Sequence, residues 1–532
     1  VMNCAQRLIQ LLETYGVDTA FGIPGVHTIE LYRALGESRM RHCTPRHEQG
    51  AGFMADGYAR ASGKPAACFI ITGPGMTNIA TAMGQALADS VPMLVFSSVN
   101  QRTSLGRGQG RLHEMPNQRE TLAGVSVFSH TLHDPEALPE VLARAFAVFT
   151  SARPGPVHIE IPLDVLTASA PAKLARPPRI FPPAPAPEAM ALAAEWLDSA
   201  SRPLVLLGGG CSNAADAARD LVERLDAPTF TTINAKGVLG LDHPLDLGAT
   251  ASLPAARRLA READVVLAIG TELGETDYDL VFDDGFVLDG RLIRIDIDPQ
   301  QLARNQSADL ALLAEAEQAM HALAEQLSGS ASRGGSDRAV ALRKELALTD
   351  DPELAPYVPL FKTLRECLPE AIVVGDSTGP VYAGNFLASL PAPRRWFNAA
   401  TGFGTLGYGL PAALGAALAQ PDHPVVALVG DGGVQFVLGE LGTARDLGKA
   451  VAVVIWNNDG YDEIRRYMAM NQVPQLGVDL AAPDFQTMAQ AFTCRYRHVS
   501  DPASFSEALA TLEEATSALI IEVDAASWMT SL

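Results

Sequence analysis

The sequence predicts an α/β protein built from three doubly wound parallel-sheet domains, on three observations. At 532 residues the chain is too long for one hydrophobic core, and 48% hydrophobic with 19% charged residues is the balance of a globular protein. Short runs of Val, Ile, Leu and Ala bounded by Gly or Pro alternate with longer amphipathic stretches, the rhythm of strand, helix, strand. Many of the strand runs are continuously apolar, which implies sheets covered on both faces, with ligand sites at the carboxyl ends of the strands.

Each domain is read from its runs. The proline-dense stretch from Ala168 to Met190 reads as an extended linker, and SGSASRGGSDR at 328–338 as a flexible one. They leave domains at 1–170, 188–327 and 352–532. The first holds CFIITG, PMLVFSS and PVHIEIP; the second PLVLLGGG, DVVLAIG and LIRIDIDP; the third AIVVGD, VVALVGDGG, AVAVVIWNND and ALIIEVD. The opening segment to Gly22 has helical spacing and no basic start followed by an apolar signal core, so a cytoplasmic protein is expected. Six cysteines without CxxC spacing suit reduced, mostly buried thiols. No apolar run reaches the roughly 18 residues of a membrane span. A formal charge of −21 argues against nucleic acid as a partner.

The strongest chemical signal lies in the third domain. One strand ends in Gly430, Asp431, Gly432 and Gly433, and the next in Asn457, Asn458, Asp459 and Gly460, with 24 residues between Gly432 and Asn457. Glycines after a strand let backbone N–H groups close on phosphate, while Asp431, the Asn458 amide oxygen and the Gly460 carbonyl are hard ligands suited to Mg²⁺. An isolated GDG is usually a plain turn. Two such strand ends at this spacing face one crevice.

This pattern resembles the diphosphate and Mg²⁺ motif of thiamin diphosphate enzymes. FGIPG at 21–25, RHEQGAGFMADGYAR at 46–60 and GTLGYGLPAALGAAL at 404–418 resemble landmarks of their acetolactate synthase and 2-oxo acid decarboxylase branch. The resemblance spans nearly the whole chain. It implies a pyrimidine-binding, a middle and a diphosphate-binding domain, with each cofactor held between subunits of a homodimer or homotetramer. It also implies roles for residues. Glu48 hydrogen-bonds the cofactor's pyrimidine, Leu406 supports its bent form, and the Gly404 carbonyl accepts from its amino group. Pro24, Ser377, Thr378, Gly430, Asp431, Gly432, Gly433, Asn458, Gly460 and Tyr461 complete the cofactor set.

His27 stands where related carboligases and lyases carry an active-site histidine, although a lone His is more often structural. In GQGRLHEMPNQ, at 108–118, either His113 or Gln118 fills the place of a Gln near the cofactor. Asp462 and Glu463, in DGYDEIRRYM, either line the substrate pocket or simply begin a helix, where acids suit the dipole. LGATASLPAA at 247–256 and GTELGETDYD at 270–279 depart from the flavin-binding pattern of acetolactate synthases, so FAD is not expected. PLVLLGGG is by itself a weak dinucleotide signal. The nearest resemblance is to 5-guanidino-2-oxopentanoate decarboxylases, which implies a long cationic 2-oxo acid as the small-molecule substrate, loss of CO₂ and release of an aldehyde. A guanidinium tail would want carboxylates. An acetolactate synthase-like carboligase is the alternative enzyme, and a catalytically silent regulatory paralogue the alternative from another class.

Overall fold

The computed structural model describes residues 2–170, 176–279, 283, 285–329 and 332–532. The first sheet comprises β1 (Thr19–Gly22), β2 (Arg41–Cys43), β3 (Ala67–Ile70), β4 (Met93–Val99), β5 (Phe128–Thr131) and β6 (Pro156–Pro162), in the order 2-1-3-4-6-5 and parallel throughout. The second comprises β7 (Pro203–Leu207), β8 (Thr229–Thr231), β9 (Val265–Ile269), β10 (Arg291–Asp296) and β11 (Leu310–Leu313), in the parallel order 11-10-9-7-8. In the third, β12 (Ile372–Gly375), β13 (Trp396–Asn398), β14 (Val425–Gly430), β15 (Val451–Asn457), β16 (Arg495–Val499) and β17 (Ala518–Asp524) follow the order 13-12-14-15-17-16. The three parallel sheets are those expected from the apolar runs.

Two compact units emerge. One contains Val1–Ile180, Ile372–Gly379 and Asn398–Leu532, and so carries the first and most of the third sheet. The other contains Phe181–Ala371 and Pro380–Phe397, around the second sheet. That sheet shows why its strands are apolar without alternation. Val205, Leu207, Leu267, Ile269 and Ile293 pack into a core on one face, while Leu204, Leu206, Val266, Ala268 and Leu292 pack into another on the opposite face.

Of the proline-rich stretch, residues 171–175 lie outside the described ones, and 176–186 form neither helix nor strand before helix Pro187–Ser199. Of the Gly/Ser stretch, residues 330 and 331 lie outside the described ones, and helix Gly335–Leu346 begins within it. The amphipathic start is helix Cys4–Thr14, capped by Asn3, whose side chain accepts from the Gln6 N–H at 2.9 Å. Cys4, Cys43, Cys68 and Cys211 are buried thiols, and burial pushes Cys4, Cys43 and Cys211 up to about 12. Among the described residues, no helix is long and apolar enough to cross a membrane.

The glycine run after β7 has a packing explanation. A Cβ on Gly208 would lie 2.1 Å from the Gly270 carbonyl oxygen, so the turns after β7 and β9 meet backbone to backbone.

Candidate active site

Glu48 is the first residue of helix Glu48–Ser62, where the helix dipole suits a carboxylate. The helix itself is almost wholly buried, and this accounts for its Gly and Ala content. A Cβ on Gly57 would sit 2.0 Å from the Ala412 carbonyl oxygen, and one on Gly415 would sit 1.9 Å from that of Met54, so the helix crosses helix Gly409–Ala419 in backbone contact. The turn into the helix is held by Glu440, 1% exposed, whose carboxylate accepts from the N–H groups of Arg46 at 3.0 Å and His47 at 3.2 Å. Glu48 in turn accepts from Asn78 Nδ2 at 2.9 Å through Oε2. Asn78 belongs to helix Pro74–Ala88, which starts at the carboxyl end of β3.

The loops at the same end of this sheet bring His27 and His113 together, with ring centroids 5.3 Å apart. Both Nδ1 atoms are buried without a hydrogen-bond partner in the protein. Burial, and then the neighbouring His113, hold the His27 pKa below its ordinary value. His113 has φ +59°, and its loop lies on Gly73, where a Cβ would be 2.7 Å from the His113 carbonyl oxygen. Pro24 lies in the exposed turn just before His27.

Gln118 is turned inward. Its Oε1 accepts from Thr72 Oγ1 at 2.8 Å and Gly73 N–H at 3.0 Å, while its Nε2 donates to Ser97 Oγ, the Ser98 carbonyl and Glu160 Oε2 at 3.0–3.2 Å. Between these two candidates, the structure therefore puts His113 beside His27 and commits the Gln118 amide to the β3 turn.

Beneath Gln118, His158 is wedged between Ser97 Oγ at 2.9 Å and Ser129 Oγ at 3.1 Å. Burial lowers its pKa to about 3. Above pH about 6.5 the ring is neutral folded or unfolded; below it, only the unfolded chain takes the proton. The native state should therefore lose about 1.4 kcal/mol per pH unit from this group between pH about 6.5 and 3. In urea unfolding, wild type should lose about 2 kcal/mol relative to His158→Gln between pH 7 and 5. Parallel pH profiles would remove His158 as the titrating group.

The second cluster forms at the carboxyl ends of β12, β14 and β15. In the order 13-12-14-15-17-16 the chain adds β13 on one side of β12 and β14 on the other, so the winding switches sides between β12 and β14, the position where doubly wound sheets open a ligand crevice. Asp431 follows β14, fully buried, its Oδ2 accepting from Gly460 N–H at 2.9 Å and its Oδ1 from Asn458 N–H at 3.3 Å. Burial raises its pKa, and those two N–H groups oppose the rise. Gly430 faces Thr378, since a Cβ there would be 3.2 Å from Thr378 Oγ1, and Tyr461 covers Gly432, where a Cβ would be 2.7 Å from its ring. A Cβ on Gly433 would lie 3.3 Å from Asp376 Oδ2 and 3.7 Å from Leu406. Asp376, unforeseen from sequence, accepts from Ser377 N–H and Gly407 N–H at 2.9 Å, and burial pushes its carboxyl up to about 6. Gly404 and Leu406 occupy the loop just before Gly407.

Asn457 and Asn458 divide the work. The Asn457 amide donates to Glu522 at 2.8 Å, while Asn458 closes on Asp431. The residues fit a diphosphate with Mg²⁺ in kind: a buried carboxylate, an amide oxygen and a backbone carbonyl are hard oxygen donors, and the turn that carries the carboxylate is lined by glycine.

Asp462 and Glu463 begin helix Asp462–Met470, none of whose residues is buried. Asp462 pairs with Arg465 at 2.9 Å, which also reaches Asp479 and the Asp459 carbonyl. Glu463 lies 3.8 Å from Arg466, both more than half exposed.

A switch-point crevice lined by glycine, one buried acid and an asparagine, on the same unit as a helix-start glutamate, defines a cofactor-dependent enzyme of the diphosphate-binding kind. The chain belongs to the thiamine pyrophosphate (thiamin diphosphate) enzyme family: residues 2–121 match its N-terminal TPP-binding domain, 190–323 its central domain and 375–523 its C-terminal TPP-binding domain. It is similar to the probable 2-ketoarginine decarboxylase AruI of Pseudomonas aeruginosa, 46% identical over 94% of this chain and 90% of that protein. It is also similar to the acetolactate synthase isozyme 1 large subunit of Escherichia coli K12, 30% identical over 94% and 91% of the two chains. The acetolactate synthase of Arthrospira platensis is 32% identical over 92% and 88%.

Proposed function

We propose that this chain is a thiamin diphosphate- and Mg²⁺-dependent 2-oxo acid decarboxylase that converts 5-guanidino-2-oxopentanoate to an aldehyde and CO₂. The observation that carries the choice of reaction is the 46% identity to a relative named 2-ketoarginine decarboxylase, against 30–32% for those named acetolactate synthase. In this reading residues 1–170 bind the pyrimidine, 188–327 form the middle domain and 352–532 bind the diphosphate. The enzyme works in the cytoplasm as a homodimer or homotetramer, each site shared between subunits.

When bound, thiamin diphosphate supplies the nucleophilic carbon and the electron sink for loss of CO₂. Asp431, the Asn458 amide and the Gly460 carbonyl would hold Mg²⁺, and the backbone of Gly430–Gly433 with Ser377 and Thr378 would hold the diphosphate. Leu406 and the Gly404 carbonyl would seat the pyrimidine, with Pro24 and Tyr461 completing the cofactor's contacts. Glu48, oriented by Asn78, moves a proton at the pyrimidine N1′. His27, its pKa lowered by burial, and His113, each with an Nδ1 atom that no protein group engages, are the side chains for proton transfer to and from the substrate's reacting carbon and oxygen. Gln118 shapes the turn beneath them.

For the guanidinium tail, Glu463 is the readier carboxylate, because Asp462 would have to exchange Arg465 for substrate. A charge-assisted hydrogen bond contributes about 1.5–3 kcal/mol, so Glu463→Gln should lower kcat/KM for the guanidino acid about tenfold to a hundredfold. An uncharged 2-oxo acid of equal length should change less than about twofold, since it has no charge to lose. Equal losses for both acids would assign Glu463 to the proton chemistry instead. The test of the function is CO₂ release across a panel of 2-oxo acids with product identification. Preference for pyruvate with a carbon–carbon coupled product would move the chain to the acetolactate synthase-like carboligases, which the synthase relatives make the second reading.

A further inference from the structure

The loop that carries Gly404 and Leu406 has little conformational preference of its own, because Gly402, Gly404 and Gly407 all have positive φ. Something else must hold it, and the last turns of helix Pro74–Ala88 do so at three points. Phe403 lies over Gly84, where a Cβ would come within 2.5 Å of its ring. Thr401 Oγ1 donates to Asp89 Oδ2 at 2.9 Å. Thr405 donates to Gln85 Oε1 twice, from Oγ1 at 3.0 Å and from its N–H at 3.4 Å.

Gln85 is fully buried, and its orientation is dictated by charge. Asp89 Oδ2 receives Arg60 Nη2 at 2.6 Å and Gln85 Nε2 at 2.6 Å. An ionised carboxylate only accepts, so the NH₂ end of Gln85 must face Asp89 and its oxygen must face Thr405. Arg60 is itself fixed by Asp56 at 2.7 Å, on the same helix as Glu48. On the other side of Leu406, Gly407 N–H donates to Asp376 Oδ2. Both neighbours of Leu406 are thus held by buried acceptors from two different elements.

We propose that Gln85 is a positioning residue for the reaction: its oxygen, aimed by the Arg60–Asp89 pair, seats Thr405 and so fixes the height of Leu406 at the cofactor. The inference rests on the assignment of Leu406 made above. Gln85 touches neither substrate nor cofactor; it acts through Thr405.

The test is Gln85→Leu, which keeps the bulk and removes the acceptor, with Thr405→Val removing the hydroxyl bond from the loop side should the first variant not fold. In cofactor-free protein, hydrogen exchange of the segment 400–408 should accelerate at least about tenfold, since the loop loses a buried anchor while β14 and β15 keep theirs. In loaded enzyme, kcat should fall at least about tenfold with substrate KM and thiamin diphosphate affinity within about threefold, the pattern of a misplaced group rather than a lost binding contact. Unchanged exchange at 400–408 overturns the proposal, as does faster exchange with unchanged kcat. Wild-type protein that binds the cofactor but releases CO₂ from no 2-oxo acid would sink the decarboxylase reading instead, leaving the exchange result on the cofactor-free protein intact.

Discussion

Asp431→Ala should lose thiamin diphosphate retention by at least about a hundredfold at millimolar Mg²⁺, because it deletes the single carboxylate among the proposed oxygen ligands of a hard cation. The variant should fold. In the cofactor-free protein Asp431 is a buried acid whose ionisation burial disfavours, so its removal takes no large stabilising charge interaction away. Two backbone donors, Gly460 N–H and Asn458 N–H, lose their acceptor, which will loosen the turn after β15. Asp431→Asn separates the two effects in part: its amide oxygen can still accept from Gly460 N–H, the shorter of the two bonds, while the charge and the acceptor for Asn458 N–H are lost. Titration calorimetry of both variants with Mg²⁺ present decides the matter. Equal losses would place the energy in the charge at the metal, and a loss confined to Asp431→Ala would place it in the turn. Wild-type affinity in Asp431→Ala would falsify the metal assignment.

Glu48→Gln should separate binding from activation. The substitution preserves shape, and the new amide can still offer an oxygen to Asn78 Nδ2, now 2.9 Å from Glu48 Oε2. Cofactor affinity should therefore stay within about tenfold, while the proton relay is gone. Relays of this kind contribute about 10² to 10⁴ in rate, so exchange of the cofactor's C2 hydrogen in D₂O should slow at least about a hundredfold. Exchange at the wild-type rate would remove Glu48 from the relay. Asn78→Ala, tested alongside, should give a smaller loss, because it frees the carboxylate to turn without removing it.

What could be read from sequence and what could not divide along physical lines. The strands of the second sheet were legible because both its faces are buried: PLVLL and VVLAI are apolar at every position since neighbours such as Leu204 and Val205 face different cores. That Asp431 and Asn458 come together was legible because they follow adjacent strands only 27 residues apart in the chain. His113 and Gln118 could not be told apart because the loop between them has no period to set a register. Their difference is tertiary, the Gln118 amide being spent on Thr72, Gly73, Ser97, Ser98 and Glu160. Gln85 gave no signal at all, since its partner Thr405 is 320 residues away. Asp376 left a faint one, a Gly-Asp pair after an apolar run, which a plain turn imitates equally well.

The helix Asp462–Met470 has no buried residue, whereas Gly57 and Gly415, where two helices cross, admit no side chain. The two regions therefore face mutation under different rules. A change at Gly57 or Gly415 would prise apart the helices Glu48–Ser62 and Gly409–Ala419 and disturb the fold before any substrate is met. A change at Ile464 or Tyr467, each at least half exposed, leaves the cores untouched. A library built on this helix should therefore return mostly folded proteins, whereas one built on the glycine crossing should return mostly aggregates.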